Sequence, residues 1–291
     1  MTNTDLLPYA AIGATGQQGG AVVDALLDAG EPVRAIVRDV NSAKSDSLRS
    51  RGATVVSADQ DDTVSVADAL RGIRGLFLMT SYSESDGGTE GESRRGLTVA
   101  EAAARADVPL VVYSSVGGAE RDSGIPHFES KRRVEEALSG LVPSRFVRPT
   151  FFMENLSRSF VADDSPEFVL RLPIPGDLPM QMVSVVDIGR VSAAVLMNPD
   201  SLPTGSIEIA GDQVTFARAA ELIGRRQGKV GRFEALPLSV LADDADRAAM
   251  FQWFVDTPGY QADFTATRQI DPAVLDLAAW LDRVIEPSEI S

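Results

Sequence analysis

The stretch from Ala10 to Gly20, AAIGATGQQGG, constrains this chain more than any other. A short apolar run, Tyr9 to Ile12, stops at glycine, and glycines recur at positions 13, 16 and 19. The segment Ala21 to Ala29 then carries Val22, Val23, Leu26 and Leu27 on one helical face. Strand, glycine turn and helix in that order are the layout of a dinucleotide-binding βα unit. Glycine reaches backbone angles forbidden to other residues and lets a pyrophosphate approach the main chain. The free N–H groups and positive end of the helix then face the phosphates. The spacing G-x-x-G-x-x-G is one residue longer than the commoner G-x-G-x-x-G. Among 24 glycines such a spacing arises by chance, so the context selects the reading. Gly13, Thr15, Gly16, Gln17, Gln18 and Gly19 are the candidate phosphate-binding residues.

A second strand, Val33 to Val37, ends in Arg38-Asp39, 19 positions beyond Gly19. At this strand end an acidic residue bonds the free 2′-hydroxyl of NAD, whereas an arginine accommodates the 2′-phosphate of NADP. Arg38 selects NADP, with Lys44 and Ser42 as helpers; Asp39 keeps NAD as the less favoured cofactor. A third strand, Thr54 to Ser57, is followed by Asp59, Gln60, Asp61 and Asp62. Asp59 and Gln60 suit either an adenine amino group or a helix cap, and Asp61 and Asp62 suit the cap. The fourth strand, Gly75 to Thr80, is apolar nearly throughout, as in a central parallel strand covered on both faces. Its end places Thr80 and Ser81 beside the cofactor. The polar stretch Ser83 to Gly91 reads as a mobile loop before a helix from Ser93 to Ala106. A fifth strand (Leu110 to Ser114), a helix from His127 and a sixth strand (Arg145 to Arg148) complete the alternation.

The fold class is therefore α/β: a Rossmann-type doubly wound parallel sheet over residues 1–150. Residues 151–291 read as a smaller α/β substrate region, partly interleaved with the first. There Ser206 to Ala210 and Phe233 to Pro237 read as strands, and Leu238 to Thr257 and Pro272 to Ile285 as helices.

Composition narrows the chemistry. Forty-two acidic against 27 basic residues, a formal charge of −15, argue against nucleic acid or an anionic membrane as partner. The absence of cysteine excludes disulfides and thiolate sites, and a single histidine leaves no multi-histidine metal site. No run approaches the ~20 apolar residues of a membrane helix, and Met1 to Pro8 lacks the pattern of a signal peptide. The expected setting is cytoplasmic, as monomer or homodimer.

His127 and Lys131 stand at i and i+4, on one helical face. Short-chain dehydrogenases place a Tyr-x-x-x-Lys pair on the helix after the fifth strand, the lysine bonding the nicotinamide ribose and the tyrosine acting as acid or base. Here Lys131 holds the lysine place and His127 the tyrosine place, while Ser114 or Ser115 is available to polarise a substrate oxygen. Histidine transfers protons near neutral pH, but its positive charge would sit near a positive nicotinamide. Tyr82 and Tyr113 could also reach the cleft, though no spacing rule selects either.

The segments 13–20, 33–39, 59–62, 127–131 and 148–155, with Pro179-Met180 and 183–189, resemble the NmrA-like branch of atypical short-chain dehydrogenases, in particular NADPH sensors of the HSCARG type. The resemblance implies a Rossmann domain, a smaller C-terminal domain and NADP held by the glycine turn, Arg38 and Lys131. It brings Phe152, Glu154 and Asn155 toward the nicotinamide, and histidine at position 127 is typical of it. It implies an NADP(H)-binding redox sensor acting through a regulatory protein partner, with an NADPH-dependent reductase of small quinones or related carbonyl compounds as the alternative.

Overall fold

A computed structural model describes residues 6–82, 84–160, 165–202 and 204–285. Five βα units come first: β1 (Tyr9–Ile12), α1 (Gln17–Asp28), β2 (Val33–Val37), α2 (Ala43–Ser50), β3 (Thr54–Ser57), α3 (Thr63–Leu70), β4 (Gly75–Met79), α4 (Gly88–Arg105), β5 (Val111–Ser114) and α5 (Pro126–Leu141). β6 (Ser144–Pro149), β7 (Phe151–Phe152), α6 (Glu154–Ser157), β8 (Glu167–Leu172), β9 (Pro179–Val183), α7 (Val185–Met197) and β10 (Ser206–Ile209) follow. β11 (Asp212–Thr215), α8 (Phe216–Arg226), β12 (Val230–Ala235), α9 (Ala245–Asp256), α10 (Phe264–Ile270) and α11 (Leu277–Val284) end the described chain.

The central sheet has the order β10-β6-β5-β4-β1-β2-β3, and all its pairings are parallel. The chain winds outward in one direction from β1 through β3 and in the other from β4. The crevice between β1 and β4 is where such sheets bind ligands. Every residue of β1 and β5 is buried because helices cover both faces. β3, at the edge, exposes Thr54 and Ser57. One face packs Val22, Val23 and Leu26 of α1 with Ile188, Val191 and Val195 of α7. The other packs Val66 and Leu70 of α3, Val99 and Ala103 of α4, and Val134 and Leu138 of α5. A third cluster, centred on Phe151, Phe168, Phe216, Phe254 and Trp280, holds the second half together around two small sheets, β11-β9-β7 and β12-β8.

Two elements from beyond residue 150 complete the large sheet: α7 covers one face and β10 pairs with β6. The polar stretch read as a loop carries helical structure over its described part. Glu84–Asp86 forms a 3-10 turn and α4 starts at Gly88, five residues earlier than its polarity suggests; Ser83 lies outside the described residues. Glu92 and Ser93 in that helix are buried by polar partners, so their polarity does not mark solvent. In the second half, side-chain caps set the helix starts. Asp244 caps α9, Asp263 caps α10 and Asp276 caps α11, so the two long helices expected from periodicity become three, preceded by a 3-10 turn at Leu238–Leu241. The strand expected at Phe233 to Pro237 starts earlier, at Val230.

Candidate functional site

The glycine turn is built for backbone proximity. Gly13 has φ +81°, and a Cβ there would lie 2.7 Å from the Met79 side chain. At Gly19 a Cβ would lie 2.2 Å from the Gly13 carbonyl oxygen, so only glycine lets α1 settle onto the turn. The Gly16 N–H closes the turn onto Gly13 O at 2.9 Å. Gly16 is also the N-cap of α1 and supplies no side-chain acceptor, whereas α2, α3 and α7 are capped by Ser42, Asp62 and Ser184. The first N–H groups of α1 are thus left for an anion.

Beside this turn lies a groove of about 260 Å³. It brings together seven residues named from sequence: Gly13, Thr15, Gly16, Arg38, Asp59, Gln60 and Ser81. Met79, Asp86 and Arg95 form its other wall. Arg95 was hidden to sequence reading inside a polar helix that gives no positional signal. The Arg38 side chain is exposed and its guanidinium has no partner among the described residues. Asp39 spends Oδ1 on the Asn41 N–H (2.9 Å), and Ser42 is committed to capping α2. Asp62 caps α3 through the Val64 N–H, while Asp61 pairs with Arg94 at 3.2 Å instead of capping. Asp59 closes a local turn onto the Asp61 N–H at 3.0 Å.

Past β4, between the groove-lining Met79 and Ser81, Thr80 enters a buried polar network; Lys131, His127 and Ser115 are not among the residues lining the groove itself. Lys131 Nζ donates to Glu92 Oε1 at 2.8 Å and to the Thr80 carbonyl at 3.3 Å. Thr80 Oγ1 donates to Glu92 Oε1 at 2.9 Å, so its 2.8 Å contact with Tyr113 must have the phenol as donor. Ser130 Oγ donates to Glu92 Oε2 at 2.6 Å. Glu92 is fully buried and satisfied on both oxygens. Burial opposes its charge, but the Lys131 ammonium and the hydrogen bonds from Lys131, Ser130 and Thr80 hold the carboxyl below the usual range. Burial likewise opposes charge on Lys131, yet Tyr113 and Glu92 raise it above an ordinary lysine. Burial pushes the Tyr113 phenol to about 12. Tyr113 is therefore a structural donor within this network, and Lys131 is a cation fixed against the Thr80 carbonyl.

The remaining candidates divide. Ser114 donates to Gln18 Oε1 at 2.6 Å, tying the start of α1 to the end of β5. Ser115 is 5% exposed, and its buried Oγ has no partner among the described residues. His127 sits one turn before Lys131, its Nδ1 2.7 Å from Asp246 Oδ2 of α9. Phe152 packs partly into the sheet face, and Asn155 is exposed. Glu154 is occupied elsewhere: Oε1 accepts the Val185 N–H at 3.0 Å and the Trp280 indole N–H at 3.1 Å, joining α6, α7 and α11. With Gln17 it lines a separate hollow between α1 and α7. The sequence reading missed Glu92 and Asp246. Acidic residues are numerous, and neither has a spacing that marks it.

Comparison with known proteins agrees with this architecture. The NmrA-like oxidoreductase himF of Aspergillus japonicus is 30% identical over 247 residues, 77% of this chain and 74% of its own length. Quinone oxidoreductase 2 of Escherichia coli is 28% identical, over 89% of this chain and 85% of its own. Its structure with NADPH superposes with a TM-score of 0.77 at 23% identity, covering 95% of this chain and 99% of that one. The negative transcriptional regulator NmrA, solved with NADP, gives a TM-score of 0.80 at 17% identity, covering 96% and 95%. No helix among the described residues is long and apolar enough to cross a membrane. With a doubly wound sheet, a glycine turn at its switch point and a match to the family model over residues 9–287, the chain belongs to the NmrA-like family.

Proposed function

We propose that this chain is an NADPH-dependent reductase of small quinones or related carbonyl compounds. The observation that carries the reading is the Lys131–Glu92 pair. A buried ion pair is poor value as a stabilising device, and this one holds an ammonium against the Thr80 carbonyl, next to the groove-lining Ser81. The names of relatives such as the quinone oxidoreductase support the acceptor class.

The groove suits the cofactor. Uncapped N–H groups at α1 would take the pyrophosphate, Arg38 the 2′-phosphate, and Asp59 or Gln60 the adenine amino group. Lys131 would hold the nicotinamide ribose and Ser115 Oγ a carboxamide or acceptor oxygen. The bound cofactor supplies hydride to the acceptor. Lys131 would fix the ribose by a charged donor that Glu92 prevents from swinging away.

A redox sensor acting through a protein partner is the second reading. It is favoured by the histidine standing where dehydrogenases carry their acid tyrosine, and by the likeness in fold to a transcriptional regulator. One experiment separates the two. Purified protein is mixed with NADPH and 2-methyl-1,4-naphthoquinone, and absorbance loss at the reduced-nicotinamide band is followed. Turnover that falls at least ~10²-fold in Lys131→Ala supports the reductase. Tight NADPH binding without turnover on a panel of quinones and carbonyls favours the sensor.

A further inference from the structure

The chain has one histidine, and its partner lies 119 residues away. His127 lies in the first turn of α5 and Asp246 in the first turn of α9. Asp246 Oδ1 accepts the His127 backbone N–H at 2.9 Å, and Oδ2 lies 2.7 Å from Nδ1 as a close ion-pair contact that is not aligned as a hydrogen bond. Both side chains are largely buried, 19% and 13% exposed. Burial opposes the charge on Asp246, but the hydrogen bonds and charge of His127 keep its carboxyl below the usual range. An oxygen lone pair 2.7 Å from a bare ring nitrogen would repel its lone pair, so the contact favours hydrogen on Nδ1. Nε2, on the far edge of the ring, is left to exchange one.

We propose that Asp246 is a positioning residue that makes His127 the proton donor of the reaction, fixing hydrogen on Nδ1 and presenting Nε2 to the acceptor oxygen. This rests on the reductase reading. The acceptor takes hydride from the reduced cofactor. The Nε2–H bond of the imidazolium breaks as the O–H bond forms, and water later returns the proton to Nε2. The acceptor gains two electrons and two hydrogens, and the cofactor is oxidised. The objection that an imidazolium would face a positive nicotinamide is met twice. Asp246 offsets the charge beforehand, and the imidazole loses it as the nicotinamide gains it. The second half of the chain thereby supplies a part of the acid that the βα units lack.

The plain alternative is that Asp246 only caps α5, whose N-cap Ile125 offers no side-chain acceptor. Asp246→Asn separates the two. Its amide oxygen can still accept the His127 N–H, while its NH₂ meets Nδ1 as a donor and drives the hydrogen to Nε2. With a single histidine, ¹⁵N-histidine labelling gives one imidazole spectrum for the cofactor-free protein. The expected result is hydrogen on Nδ1 in the wild type, inverted in Asp246→Asn. With 2-methyl-1,4-naphthoquinone, kcat is expected to fall ~10²-fold in both Asp246→Asn and His127→Gln, with no further loss in the double variant. KM for NADPH should stay within about twofold, and Asp246→Glu should recover part of kcat. Hydrogen on Nε2 in the wild type, or full kcat in either variant of a turning-over enzyme, overturns the proposal. A wild type without turnover on any acceptor, its tautomer still locked on Nδ1, overturns the reductase reading and the donor role with it.

Discussion

Replacing Glu92 by Gln tests whether the buried network around Lys131 is held by charge or by shape. Gln keeps the volume and most hydrogen bonds. Its Oε1 still accepts from Lys131 and Thr80, and its NH₂ donates to Ser130, whose own proton turns to the His127 carbonyl at 3.0 Å. What disappears is the negative charge beside an ammonium only 16% exposed. Removing one member of a buried pair costs about 3–5 kcal/mol. The loss has a ceiling, because Lys131 can shed its proton. From an ordinary value of 10.5, neutralising it at pH 7 costs about 5 kcal/mol. With Lys131 partly exposed, about 3 kcal/mol is expected in urea unfolding at pH 7. The pH dependence gives the sign. The folded Glu92 carboxyl is depressed, so its contribution is complete above the unfolded value near 4.5 and is lost as pH falls through the folded one. The folded Lys131 is raised, so its contribution holds below 10.5 and is lost as pH rises through the folded value. The gap between wild type and Glu92→Gln should be widest between these limits and close at both ends. A gap below about 1 kcal/mol at pH 7, or one that widens in acid, would refute a charge-held network.

Three further outcomes are expected. Gly19→Ala puts a methyl 2.2 Å from a backbone oxygen; it should destabilise by about 3 kcal/mol and weaken NADPH binding more than ~10-fold, read by calorimetry. Arg38→Ala should cost ~1.5–3 kcal/mol of NADPH affinity and almost none for NADH; equal losses would remove its role as selector. Burial raises the Glu154 carboxyl, so its ionisation costs stability as pH rises through the folded value. Glu154→Gln keeps an oxygen for Val185 and Trp280 and should be more stable than wild type at pH 7 but not at pH 4. Identical pH profiles in thermal melts would count against this.

Local chemistry made much of the protein legible from its sequence. The glycine turn, the six alternating βα strands, Arg38 at the second strand end, the Asp62 cap and the Lys131 place all follow from backbone angles, side-chain period and spacing within about 20 residues. The fold alone decided the rest. It brought β10 to the edge of the sheet beside β6, turned Glu154 into a staple across α6, α7 and α11, buried Glu92 under Lys131 and set Asp246 against His127. In sequence a carboxylate reads as a solvated face. Only a cation or donor supplied by a distant element makes its burial affordable, and no periodicity encodes where that partner lands.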